Sequence, residues 1–173
     1  MTVLVYSYTI YHSPNAYFGT VLLQRALAEL PEIELVRRPI YIPRDRGLLI
    51  AELLCGKENR NASSDNREDC RRWSERFAIP MSYPDPSLFH ERANRWAVSQ
   101  FHREELPARA FYAADPEKRG LLDQALFEAA WVEGLDVNDP ATIGWAARRA
   151  ELDPGGLSRR GSRSSNCLVS VTS

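Results

Sequence analysis

The stretch Val3-Leu4-Val5-Tyr6-Ser7-Tyr8, followed by His12-Ser13-Pro14-Asn15, decides how this chain reads. The first run is uncharged and rich in Val and Tyr, and it predicts a short buried strand. After the polar break, Phe18, Leu22, Leu23, Leu27 and Leu30 recur at three- and four-residue spacings. They predict a helix over about 15–30 that Pro31 ends. Residues 33–42 predict a second strand, whose last part leaves the ladder at Pro39. A strand, a helix and a strand in so short a span form a βαβ unit, so the two strands should be parallel with a right-handed crossover.

Past Pro43 the pattern changes to helices, expected at 45–55, 66–78, 87–98, 103–114, 116–132 and 140–150. Asp85-Pro86, Asp115-Pro116 and Asp139-Pro140 are start signals, the Asp oxygen taking a free N–H and Pro needing no partner there. Gly134 is a stop signal. Residues 156–173, GLSRRGSRSSNCLVSVTS, hold six Ser, three Arg and no acid, and predict a disordered extension. The chain thus divides into a βαβ half (1–44), a helical insertion (45–154) and a Ser/Arg-rich tail (155–173).

The 173 residues carry 22 Lys+Arg against 23 Asp+Glu, with 44% hydrophobic and 26% charged residues, the profile of a soluble globular protein. Balanced charge argues against a general nucleic-acid binder, and no apolar run is long enough to span a membrane. The N-terminus has neither a basic region nor a long apolar core of the secretory kind, so the expected location is cytoplasmic. Cys55, Cys70 and Cys167 are odd in number and far apart, which builds neither a disulfide framework nor a zinc site. His12, His90 and His102 have no metal-ligand spacing, and no metal centre is expected.

The loop between the first strand and the first helix is the candidate site, because open α/β sheets bind ligands at the carboxyl ends of strands. A helix starting there aims free N–H groups and the positive end of its dipole at the ligand. The Ser13 hydroxyl could donate to a thiolate or oxyanion. Ser13-Pro14 also reads as an N-cap, and the two roles are partly compatible, since the oxygen can accept while the proton points outward. His12 could act as a base, but neighbours on a turn seldom face each other and no Asp is placed to orient it. It is expected to be a surface or hydrogen-bonding histidine. Arg37-Arg38, Arg44-Asp45-Arg46 and Arg71-Arg72 read as solvated charges, with Glu68 and Arg72 an i,i+4 pair. Arg38 or Arg44 could meet an anionic ligand. Trp73, Trp96, Trp131 and Trp145 read as core or cleft lining.

The start of the first helix, Ser13-Pro14-Asn15-Ala16-Tyr17-Phe18-Gly19, resembles that of 2-hydroxychromene-2-carboxylate isomerases, relatives of kappa-class glutathione transferases and DsbA-like proteins. Further matching blocks are Arg38-Pro39-Ile40-Tyr41-Ile42-Pro43, residues 69–81 around Cys70-Arg71-Arg72-Trp73, and residues 125–137 around Trp131-Val132-Glu133-Gly134. The resemblance spans about residues 3–154. It implies an α/β, thioredoxin-like fold with a large all-helical insertion. It implies glutathione as cofactor, held at Ser13, Pro14 and Asn15, with Ser13 the catalytic hydroxyl serving its sulfur. The implied activity is a glutathione-dependent isomerase or transferase acting on a small electrophilic or aromatic substrate, and pairing as a homodimer is compatible with it. Members with C-x-x-C at this position are thiol–disulfide oxidoreductases, but Ser13-Pro14-Asn15-Ala16 offers no such nucleophile. The family continues beyond the equivalent of Leu152-Asp153-Pro154 with a cis-proline segment and further strands. This chain turns instead into its Ser/Arg tail, so those C-terminal strands are expected to be missing and the chain to be truncated. A non-catalytic or defective fragment is the alternative, and a DsbA-like thiol–disulfide oxidoreductase by family is the third reading.

Overall fold

The structure is a computed structural model that describes residues 2–41, 62–84, 91–92, 102 and 104–161. It opens with β1 (Val3–Thr9), α1 (Pro14–Leu27) and β2 (Ile33–Pro39). Then come α2 (Ala62–Phe77), α3 (Glu105–Ala113), a 3₁₀ turn (Pro116–Lys118), α4 (Arg119–Trp131), α5 (Pro140–Arg149) and α6 (Pro154–Gly161). The protein is helix-rich α/β. Among the described residues the sheet has two strands, β1 and β2, paired in parallel from Val3 opposite Ile33 to Thr9 opposite Pro39. The expected βαβ unit is therefore present, and Pro39 closes the ladder. The helix expected at 45–55 and, apart from the helical pair Glu91 and Arg92, the one expected at 87–98, together with Asp85-Pro86, His90, Arg44 and Trp96, lie outside the described residues.

The helical layer is built on alanine. Ala108, Ala129, Ala146, Ala147 and Ala150 are fully buried, and their small side chains let α3, α4 and α5 approach closely around Leu122, Leu126 and Phe127. Asp139 caps α5 as its sequence signals, accepting the Ala141 N–H at 2.9 Å ahead of Pro140. Asp115-Pro116 behaves differently. It opens a 3₁₀ turn, Lys118 N–H bonding Asp115 O at 2.8 Å, before α4 begins at Arg119, and the Asp115 side chain makes no cap bond. Gly134, at φ +65°, turns the chain after α4 so that Leu135 N–H reaches Ala129 O at 2.7 Å.

Two expectations need correction. Residues 155–161, read as the start of the tail, belong to α6. Asp153 accepts the Gly155 and Gly156 N–H groups at 3.1 and 2.8 Å, a fourth Asp-Pro start, and Leu157 is buried in the core. Residues 162–173 lie outside the described residues. The strand expected to be buried is not: Val3, Leu4, Tyr6 and Tyr8 are 47%, 50%, 51% and 61% exposed, so both faces of β1 are only partly covered by the described residues.

Candidate functional site

Ser13 stands where β1 hands over to α1. Its extended backbone (φ −94°, ψ 116°) is that of an N-cap, its Oγ accepts the Ala16 N–H at 3.2 Å, and its carbonyl accepts the Tyr17 N–H at 3.1 Å. Accepting uses only a lone pair, so the hydroxyl proton remains to be donated from a half-buried position at the positive end of the helix. Pro14 is buried at the first helical position and Asn15 is exposed beside it. The three predicted site residues are thus neighbours at one helix end.

The loop ahead of Ser13 is fixed by residues that arrive much later in the chain. Glu104, fully buried, accepts the Tyr11 N–H at 2.8 Å through one oxygen and the His12 N–H at 3.0 Å through the other. The second oxygen also meets His12 Nδ1. His12 Nε2 faces Asn138 Nδ2 at 3.4 Å and Asp136 Oδ1 at 3.9 Å. His12 is a hydrogen-bonding histidine, as expected, but a carboxylate does orient it. That carboxylate is a Glu 92 positions away, which no local spacing reveals. With both ring nitrogens engaged inside the protein, His12 serves to hold the loop. Glu104 itself keeps φ +69°, a left-handed conformation costly for a residue with a side chain.

A second buried network lies beneath. The Tyr11 hydroxyl donates to Asp123 Oδ1 at 2.9 Å, and Trp131 Nε1–H donates to Tyr11 O at 2.7 Å. Arg37 is not solvated, contrary to expectation. Its Nε meets Asp123 Oδ2 at 3.0 Å, and its other nitrogens reach Ser7 Oγ at 3.2 Å and Thr20 Oγ1 at 2.9 Å. One guanidinium thereby ties β1, β2, α1 and α4 together. Burial pushes the Asp123 carboxyl up from its ordinary range, against the opposing pull of Arg37 and of the Tyr11 hydroxyl. Burial, and then the charge of Asp123, push the Tyr11 hydroxyl well up. Arg38 lies over the Tyr6 ring, 5.8 Å from its centre.

A cleft of about 370 Å³ opens between α1, the 79–80 segment, α4 and α5. Tyr17, Val21, Ile79 and Phe127 contribute its apolar lining, while Glu128 and Arg149, ion-paired at 3.2 Å, stand at its polar side. Ser13 does not line it; the cleft begins at Tyr17, one helical turn further along α1. Trp131 is core, whereas Trp73 is half exposed and packs on Phe18 and Phe77. Cys70 is buried on α2, its thiol pushed up to about 11 by burial and then by Asp69. The Glu68–Arg72 pair forms at 3.2 Å as expected.

Compared with known proteins, the sequence matches no family model and no curated protein. The structure does match a solved structure of 2-hydroxychromene-2-carboxylate isomerase, with a TM-score of 0.66 over 95% of this chain and 72% of that chain, at 20% identity. The fold is that of the isomerase. In this isomerase-like fold Ser13 lies at the start of α1, backed by Glu104, Asp123 and Arg37, three residues that sequence reasoning did not place at the site. Among the described residues, no cluster of three or more His, Cys, Asp or Glu could hold a metal ion. No described helix is long and apolar enough to cross a membrane.

Proposed function

We propose that the chain is a glutathione-dependent isomerase or transferase of the 2-hydroxychromene-2-carboxylate isomerase type. The observation that carries this reading is the placement of Ser13: its hydroxyl sits at the N-terminus of α1, in an isomerase-like fold, and accepts the Ala16 N–H without using its own proton. The donor set suits an anion such as a thiolate, which would gain both a charge-assisted hydrogen bond and the helix dipole. When bound, glutathione would supply a thiol that adds to an electrophilic substrate and departs after a bond has rotated. The chain's own part is to lower the thiol pKa through Ser13 and to hold the substrate, for which the cleft beginning at Tyr17 offers an apolar wall.

A redox role has no support at Cys70, whose raised pKa and burial suppress the thiolate. The half-exposed Leu4, Tyr6 and Tyr8 of β1 favour a second reading, a chain that binds a partner without catalysing. Calorimetric titration of reduced glutathione into wild type, Ser13→Ala and Ser13→Asp separates these readings. Wild type should bind, Ser13→Ala should bind with a raised thiol pKa, and Ser13→Asp should not bind, because its carboxylate would repel the thiolate. Equal binding by Ser13→Asp would leave Ser13 a cap only, and no binding by wild type would reject glutathione.

A further inference from the structure

The cleft beside α1 gathers features that the Ser13 site does not use. Tyr17, Val21 and Gln24 reach it from one face of α1, at the four- and three-residue spacings of a helix stripe. They run away from Ser13, with Gln24 about 10 Å further along the helix axis than Tyr17. Opposite stand Gln124, Phe127 and Glu128 of α4, also on one face, and the rings of Tyr17 and Phe127 are 6.2 Å apart. Much of the remaining lining marks where helices end. Ile79 and Pro80 follow α2, Val132 and Glu133 follow α4, and Arg149 is the last residue of α5. Three helix C-termini, each the negative end of its dipole, therefore meet at one cleft.

The side chains add charge of the same sign. Among the described residues that line the cleft, two carboxylates, Glu128 and Glu133, face one guanidinium. That guanidinium is already engaged: Arg149 donates to Glu128 at 3.2 Å and lies over the Trp145 ring, 5.0 Å from its centre. Arg25, whose charge also reaches Tyr17, donates to Phe77 O at 2.6 Å and Ala78 O at 3.3 Å, and so answers the end of α2. Burial and then the Glu128 charge push the Tyr17 hydroxyl up, against the pull of Arg25.

We propose that this cleft binds an apolar primary amine as its ammonium. The hydrocarbon part lies between Tyr17, Val21, Ile79 and Phe127, and the ammonium meets Glu128 and Glu133 at the end of α4. An ammonium brings three donors and a positive charge, which suit carboxylates, helix C-termini and aromatic faces alike. A carboxylate ligand of the same shape would meet those groups as repulsion. In the proposed isomerase or transferase, and resting on that reading, the amine is the far end of the substrate, since the cleft begins one turn along α1 from Ser13.

Benzylamine, benzyl alcohol and benzoate share one ring and differ in charge. Titrating each into the full chain, followed by backbone amide shifts, tests the site without glutathione, so failure here leaves the Ser13 reading to its own titration. Benzylamine should bind about tenfold more tightly than the alcohol, and benzoate more weakly than either. The shifts should centre on Val21, Ile79 and Val132. Glu133→Gln should remove most of the preference for the amine. Val21→Trp fills the cleft and should abolish binding of amine and alcohol, with the fold of both variants checked by melting curves. Benzoate binding as tightly as benzylamine would overturn the charge assignment, and amine shifts confined to other surfaces would overturn the site. No binding by any of the three overturns both. These three results come from the wild-type chain, and none depends on a variant folding.

Discussion

The Glu104 carboxylate accepts the Tyr11 N–H at 2.8 Å across 93 positions of sequence, and so holds in place the loop that delivers Ser13 to the head of α1. Glu104→Ala leaves the Tyr11 and His12 N–H groups without their acceptor, one of them fully inside the protein. The expected cost is about 3 kcal/mol, from buried donors left unpaired. Glu104→Gln keeps an acceptor oxygen but brings an amide N–H₂ against a backbone donor, and should fall between wild type and Ala. Urea unfolding of the three proteins measures the order. A Glu104→Ala protein as stable as wild type would show that water replaces the carboxylate.

Arg37→Ala removes the guanidinium that buried Asp123 meets at 3.0 Å and should cost about 3–5 kcal/mol, the usual penalty for stranding one member of a buried pair. The pH dependence should change with it. Burial already raises the Asp123 pKa in the fold, and losing Arg37 raises it further. A carboxyl with a raised folded pKa holds its proton better in the native state than in the unfolded one. The variant should therefore recover stability as pH falls through that folded pKa, and lose it as pH rises. Denaturation curves collected from neutral to acid pH give the slope, and an unchanged slope would dissociate Arg37 from Asp123.

Cys70 should be unreactive. With its pKa pushed up to about 11 and its sulfhydryl 3.2 Å from Asn66 Oδ1, it should react with an aromatic disulfide reagent far more slowly than a free thiol at pH 8. The native state keeps the proton longer than the unfolded state, so its contribution to stability is intact below about pH 9 and is lost as pH rises toward 11. Cys70→Ala should lose that part of the alkaline decline. Insulin reduction should be absent, and robust reduction abolished by Cys70→Ser would contradict the assignment.

The caps at Ser13 and Asp153 should behave alike in melting experiments. Ser13→Ala should cost about 1 kcal/mol and Ser13→Asp little, since Asp caps as well as Ser. Asp153→Ala should cost a similar amount of about 1 kcal/mol and should unwind the first turn of α6, where Gly155 and Gly156 rely on its oxygens. Loss of helical signal on Asp153→Ala, without loss of the core transition, distinguishes local unwinding from global destabilisation.

The βαβ unit was legible because its evidence is local. A strand-like run, a helical period and a Ser-Pro cap lie within one short stretch, and they fixed the parallel pairing and the position of Ser13. The supports of that loop were not legible. Glu104, Asp123 and Asn138 meet Tyr11 and His12 across 92 to 126 positions, and contacts of that span leave no spacing to read. Arg37 was misread because a basic doublet resembles a solvated face, and only the tertiary fold shows that one member turns inward. α6 was missed for a different reason. Its start signal, Asp153-Pro154, is in the sequence, but Gly155-Gly156 and the Ser/Arg run behind it have poor helix propensity. The burial of Leu157 outweighs that local preference.

The Tyr11–Ser13 loop also imposes an order of events on a chain made from its N-terminus. Residues 3–13 leave the ribosome well before their partners: the Tyr11 N–H waits for Glu104, its hydroxyl for Asp123 and its carbonyl for Trp131. This loop is therefore set long after it is synthesised. During that interval β1 has, of its described neighbours, only β2 and α1 beside it, and it is there that a chaperone would be expected to act.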